Sequence, residues 1–192
     1  MERGYTLLEL LITLALLVIV AAFAVPSFQD SIARNARESA MLDLMSSLAL
    51  ARSEAVSADR PVSICRSTNL TTCAGSAGDW SGGWLVFSDT GTAGSIGGSD
   101  TVVQVHPALS IGGAVTVKTS ANAAVTGEYL RFDGNGFLTH PSGGAYFKFC
   151  TDDGAAANAR AVWVANTGRA SLSVDDGDGI HNTPAGGNLS CP

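Results

Sequence analysis

Residues 7–25 read LLELLITLALLVIVAAFAV, nineteen residues that carry one charge, Glu9. At ~1.5 Å per residue, a helix of that length nearly spans a hydrocarbon core of ~30 Å. The flank before it is six residues long and contains Glu2 and Arg3. Three readings compete: a secretory signal peptide cut after Ala22-Phe23-Ala24, a plain membrane anchor, and a leader from which only the first few residues are removed. Glu9 argues against the first. An ionised side chain inside an apolar helix costs ~2.5–3.5 kcal/mol on insertion scales, and a discarded peptide gains nothing from it.

Helical patterning runs on past this block. From Ser27 to about Val56 the chain has no Gly or Pro, and Phe28, Ile32, Leu42, Met45, Leu48, Ala49 and Val56 recur at mostly helical intervals. Arg34, Arg37, Glu38, Asp43, Arg52 and Glu54 fill much of the other side, so the first set is the expected packing face. Anchor and amphipathic helix together make one rod of about fifty residues, ~75 Å if fully helical. Pro26 lacks an amide hydrogen and marks a hinge in it, either a bend or the junction of two helices.

From Arg60 onward the period changes. Short β-like runs fall at Val62–Cys65, Trp84–Ser88, Val102–His106, Val115–Thr119, Tyr129–Asp133, Tyr146–Cys150, Ala161–Asn166 and Ser171–Val174, separated by turns rich in Gly, Asp, Asn and Ser. About eight strands after one helix predict an α+β fold: a long helix whose second half packs on a mostly antiparallel β domain.

The 192 residues suit one extracytoplasmic domain plus an anchor. Net charge is −6 and the pI is near 4.8, which argues against bulk binding to nucleic acid or anionic lipid and leaves room for a local basic patch. Cys65, Cys73, Cys150 and Cys191 form no CxxC pair, and His106, His140 and His181 are scattered, unlike a zinc site. Two disulfides in an oxidising compartment fit better. Three connectivities are open; sequence proximity favours Cys65–Cys73, which leaves Cys150–Cys191, and free thiols are the alternative.

Gly4-Tyr5-Thr6-Leu7-Leu8-Glu9 resembles the class III signal of type IV pilins and pseudopilins. The resemblance implies that a prepilin peptidase cuts between Gly4 and Tyr5 and methylates the new N-terminus at Tyr5. The family usually has Phe after the cut, and Tyr5 keeps the aromatic character. Glu9 becomes the glutamate that pairs with the α-amine of an adjacent subunit, a low-dielectric charge pair able to fix axial register. Pro26 falls where the family often carries a kinking proline. The chain then divides into a leader (1–4), a membrane-embedded and assembling half-helix (5–26), an amphipathic half-helix (27–58) and a β-rich domain (59–192).

Further stretches are similar to the GspH/FimT type of minor pilin: Arg52-Ser53-Glu54-Ala55, Pro61-Val62-Ser63-Ile64-Cys65, Trp80-Ser81-Gly82-Gly83-Trp84, Phe132-Asp133-Gly134-Asn135-Gly136, Asn166-Thr167-Gly168-Arg169 and Leu189-Ser190-Cys191-Pro192. That resemblance implies a minor pilin that helps prime or cap a type IV pilus with other minor pilins and the major pilin. A type II secretion pseudopilin is the alternative. Either would sit in a bacterial inner membrane by a single pass, with a periplasmic domain, before assembly. Some relatives contact DNA through a Gly-Arg-x-Arg stretch. Here it reads Gly168-Arg169-Ala170-Ser171, without the second arginine, so DNA is not the expected partner and is kept as the lesser alternative, with contact falling to Arg169, Arg160 and Arg131.

Asp175, Asp176 and Asp178 cluster on a Gly-rich turn that could hold Ca²⁺, although EF-hand spacing is absent and a solvated acidic turn is the simpler reading. No other cofactor is implied. No GxSxG, P-loop or HExxH motif is present, and the expectation is a structural subunit rather than an enzyme.

Overall fold

The computed structural model describes residues 6–191, and within the long helix it describes the backbone alone at Phe23, Val25, Pro26, Ser27 and Asp30. The expected rod is one helix, α1, Leu7–Ala58. Its end is a Schellman turn: Asp59 takes a left-handed φ of 47°, and the Arg60 amide donates to the Ala55 carbonyl at 3.2 Å. Pro61 follows and bars continuation. Two compact units divide at Ala36 and Arg37, inside α1 rather than after it. No helix among the described residues is long and apolar enough to cross a membrane.

Nine strands follow the helix among the described residues: β1 (Val62–Arg66), β2 (Trp84–Ser88), β3 (Val102–His106), β4 (Gly113–Thr119), β5 (Tyr129–Phe132), β6 (Leu138–His140), β7 (Ala145–Thr151), β8 (Arg160–Val164) and β9 (Ala170–Leu172). They form two sheets, β3-β2-β1-β5-β6 and β4-β7-β8-β9, with every pairing antiparallel. The expected α+β architecture is therefore the observed one, with β6 in addition.

Alternation sorts the first sheet into two faces. Val62, Ile64, Trp84, Val86, Leu130 and Phe132 share one face, and all are buried. His106 stacks on Trp84 on this side, at 3.9 Å between ring centroids, and its Nε2 lies 3.7 Å from Asp43 of α1. The opposite face carries Cys65, Leu85 and Phe87, covered by Cys73, Ile96 and Tyr129. Both faces being buried explains why β2 reads as a near-continuous apolar run.

The packing face of α1 differs from the expected one. Of Phe28, Ile32, Leu42, Met45, Leu48, Ala49 and Val56, only Leu48 is buried, and Leu42 and Val56 are more than half exposed. The buried stripe is instead Ala40, Met41, Leu44, Leu48, Ala51 and Ala55, with the polar Arg37 and Ser47 buried alongside. Three of these are alanines, whose short side chains let the helix backbone approach the sheets closely. Their spacing of three and four residues is helical all the same.

Candidate functional site

The N-terminal end of α1 shows what the leader motif does locally. Thr6 precedes the helix, and its Oγ1 accepts the Glu9 amide at 3.2 Å. Thr6-Leu7-Leu8-Glu9 thus has the S/T-x-x-E pattern of a capping box, a signal that the sequence carries and that the reading of Glu9 as an assembly residue passed over. Glu9 also stands in the first turn, where the helix dipole favours a negative charge. Its side chain is exposed. Gly4 and Tyr5 lie outside the described residues, as does the side chain of Pro26, whose backbone lies within α1.

Three of the motif stretches, distant in sequence, meet where α1 ends. The Asp133–Gly136 turn is closed by the Gly136 amide on the Asp133 carbonyl, while Asp133 Oδ1 accepts the amides of Asn135 and Phe137. Arg52 Nε donates to the Gly136 carbonyl at 3.1 Å. Gly168, in the β8–β9 turn with φ at 74°, presses against the same carbonyl, and a Cβ there would lie 2.0 Å from it. So Arg52, Gly136 and Gly168 lock helix, first sheet and second sheet together. Close backbone approach accounts for both glycines.

Beside this junction runs a groove of about 520 Å³ lined by Met45, Ala49, Arg52, Val56, Arg169 and Ala170, among others. It exposes the apolar stripe that the sequence pattern had assigned to the core. Arg169 sits on its rim, exposed. The other two arginines named for DNA contact are engaged elsewhere: Arg131 Nε lies 3.3 Å from the buried Asp89, and Arg160 Nη1 donates to the carbonyls of Ala157 and Ala159.

The Trp-containing stretch is structural. Trp80 is fully buried; its Nε1 donates to Glu128 Oε2 at 2.8 Å, and its ring meets Phe147 edge-on at 4.8 Å. Asp79 Oδ1 accepts the amides of Ser81 and of Val115 on β4. Burial pushes the Glu128 carboxyl above the usual glutamate range, opposed by the Trp80 hydrogen bond and by the charges of Arg66 and Lys118. Asp89 holds the loop after β2 by accepting from Ser63 Oγ at 2.6 Å and from the Gly94 amide at 2.9 Å.

Both disulfides are formed, Cys65–Cys73 and Cys150–Cys191, joining the pairs that sequence proximity favours. Asp175, Asp176 and Asp178 place ligand oxygens within 4.8 Å of one another, all exposed. Two of those carboxylates already have partners: Asp175 accepts the amides of Gly177 and Gly179, and Asp178 accepts from Ile180 N and Asn188 Nδ2. These amides hold the Asp175 carboxyl below the usual aspartate range.

A long N-terminal helix that opens on a leader motif and packs its second part on antiparallel sheets defines a pilin-like subunit. The comparisons sharpen that class. A family model described as type II transport protein GspH matches residues 40–168, more than half of the chain, so the chain belongs to the GspH family of minor pilins and pseudopilins. The prokaryotic N-terminal methylation motif matches residues 1–25. Among solved structures, the type IV minor pilin FimU of Pseudomonas aeruginosa is 26% identical over 73% of this chain and 90% of its own, with a TM-score of 0.52. The minor pseudopilin EpsH of the Vibrio cholerae type 2 secretion system is 12% identical, over 73% of this chain and 98% of its own, with a TM-score of 0.46. No curated protein sequence matches the chain. The family is one of structural pilin and pseudopilin subunits.

Proposed function

We propose that this chain is a minor pilin that helps initiate or cap a type IV pilus together with other minor pilins, and that it performs no catalysis. The observation that carries the reading is the likeness to the FimU minor pilin, which extends over nine-tenths of that protein. The methylation motif supports processing by a prepilin peptidase between Gly4 and Tyr5, with Tyr5 methylated. Before assembly, residues 5–26 would hold the subunit in the inner membrane with its β domain in the periplasm. In the fibre, Glu9 would find its cation on a neighbouring subunit.

The family model's own description favours a second reading, a minor pseudopilin of type II secretion. Deleting the gene separates the two. The pilus reading predicts loss of surface pili with exoprotein secretion intact; lost secretion with normal pili would transfer the chain to the second reading. Complementation with Glu9→Ala is expected to restore a processed but unassembled subunit. Full assembly of that variant would remove the register role.

A further inference from the structure

Eleven basic residues are spread over this acidic chain, and only two of them are lysines, Lys118 and Lys148. The fold brings both to one place. β4 and β7 pair with Thr116 opposite Lys148 and Lys118 opposite Tyr146, so both ammonium groups rise from the same face of the second sheet. They line one groove of about 330 Å³, with Ala114, Thr116, Ser190 and the Cys150–Cys191 bridge as its remaining wall.

Among the described residues, no carboxylate lies within ion-pair distance of either lysine. Lys148 Nζ is fixed by the Ser190 carbonyl at 2.6 Å, a neutral acceptor. Lys118 also lowers the cost of ionising Glu128, whose carboxyl burial raises. Burial, with Lys118 adding like-charge repulsion, pulls the Lys148 ammonium below the usual lysine range. Two cations held together with no carboxylate in ion-pair contact repel one another, and an external anion would relieve that repulsion.

The familiar use of lysine on an edge strand is to block pairing with other chains. That explanation is weak here because the free edge of β4 is already covered. Val115 N donates to Asp79 Oδ1, Thr119 N donates to the Ala123 carbonyl, and Lys118 bridges to Ala124.

We propose that this groove binds carboxylate side chains of an acidic peptide segment on a partner protein. The half-apolar wall decides for a peptide over a free inorganic anion, which would leave Ala114 and the disulfide uncovered. The net charge of −6 decides for a local match: the rest of the surface repels an acidic partner, so the lysine pair fixes where it docks. The site does not depend on which fibre the chain joins.

The lysine count supplies the measurement. In the full chain in detergent micelles, reductive ¹³C-methylation keeps the charges and gives one lysine NMR signal for each site. The probe is acetyl-Asp-Asp-Gly-Asp-amide, with the Asn-Asn-Gly-Asn peptide and inorganic phosphate as controls. Both lysine signals are expected to move saturably with the acidic peptide, at a Kd roughly tenfold below either control, a gap of about 1.4 kcal/mol. Lys118→Gln should remove that gap and Lys118→Arg should restore it, with Tm no lower than the parent's in either variant. Unmoved signals, an equal response to the Asn peptide, or phosphate binding as tightly as the peptide would each overturn the proposal. So would signals that shift with protein concentration alone, which would make a second copy of the chain the occupant.

Discussion

The two sheets solve one problem by different means. Each has an outer face too apolar to leave in water, and each is roofed by an irregular segment closed with a disulfide. Over the first sheet the roof is the loops after β1 and β2, which bring Cys73 and Ile96 onto Cys65, Leu85 and Phe87. Asp89 and Asp100 pin the loop after β2: Gly94 N donates to the first, and Thr90 N and Gly97 N donate to the second. Over the second sheet the roof is the tail after β9, which brings Leu189 and Cys191 onto Tyr146, Ala159, Ala161 and Trp163. The tail is closed by isolated bridges, Asp175 with His181 and Asn182 with Asn188, and by the turn at Thr183–Gly187. The first roof is closed on itself by a bridge of short span, and the second is tied back to its sheet by a bridge at its far end.

The bridges differ accordingly. Cys65–Cys73 spans eight positions and Cys150–Cys191 spans 41. Loop-closure entropy gives about 4 kcal/mol for the longer and about 2.5 kcal/mol for the shorter. The largest expected loss is therefore from Cys150→Ser with Cys191→Ser, read by urea denaturation, with amide exchange speeding up across 175–190 and hardly elsewhere. Cys65→Ser with Cys73→Ser should cost less, and exchange should rise locally at 67–79. Equal losses from the two pairs would mean that the tail is held by its own packing and that the contrast is wrong.

Trp80 tests whether the halves behave as one. It leaves the first sheet, meets Phe147 of the second, and donates to Glu128 just before β5. Trp80→Phe keeps most of the apolar contact but strands a buried carboxylate, at a cost of roughly 1–3 kcal/mol. If the sheets fold as a unit, the denaturation midpoint moves while the transition stays single. Two resolved transitions would show that Trp80 was holding separable halves together.

Much of this was legible from residue pattern, and what was not has physical causes. Strong β-formers with clear turns located β1 to β5 and β7 to β9 to within a residue or two. β6 is three residues long and follows a tight Asp-Gly-Asn-Gly turn, too short to show a period. The helix face was assigned to the wrong side because α1 carries two apolar stripes. The long side chains Leu42, Met45 and Val56 outweigh Ala40, Ala51 and Ala55 in any hydrophobic count. Close packing against the sheets selects the small ones. The junction of Arg52, Gly136 and Gly168 was visible as three separate motifs; only the fold shows that they touch. The lysine groove had no local signature at all, since register alone brings position 118 beside position 148.

The smallest effect expected is a pH dependence of opposite sign in the two places. Glu128 sits at the joint between the sheets with its carboxyl raised above 4.5 by burial. Below 4.5 it is protonated in both folded and unfolded chains and costs nothing. As pH rises through the raised value, the folded protein must ionise a buried acid that the unfolded chain ionises freely, so stability falls. Asp175, in the tail, is lowered from 3.8 by the Gly177 amide first, and its contribution is present above 3.8 and lost as pH falls through the lower value. Stability should therefore peak on the mildly acidic side and decline toward neutrality. Glu128→Gln, which keeps an acceptor for Trp80, should flatten the decline toward neutrality, and Asp175→Asn should flatten only the acid limb. Urea midpoints from pH 3 to 8 read both at once. A Glu128→Gln profile that falls as steeply as the parent's would place the source of the slope elsewhere than at the joint.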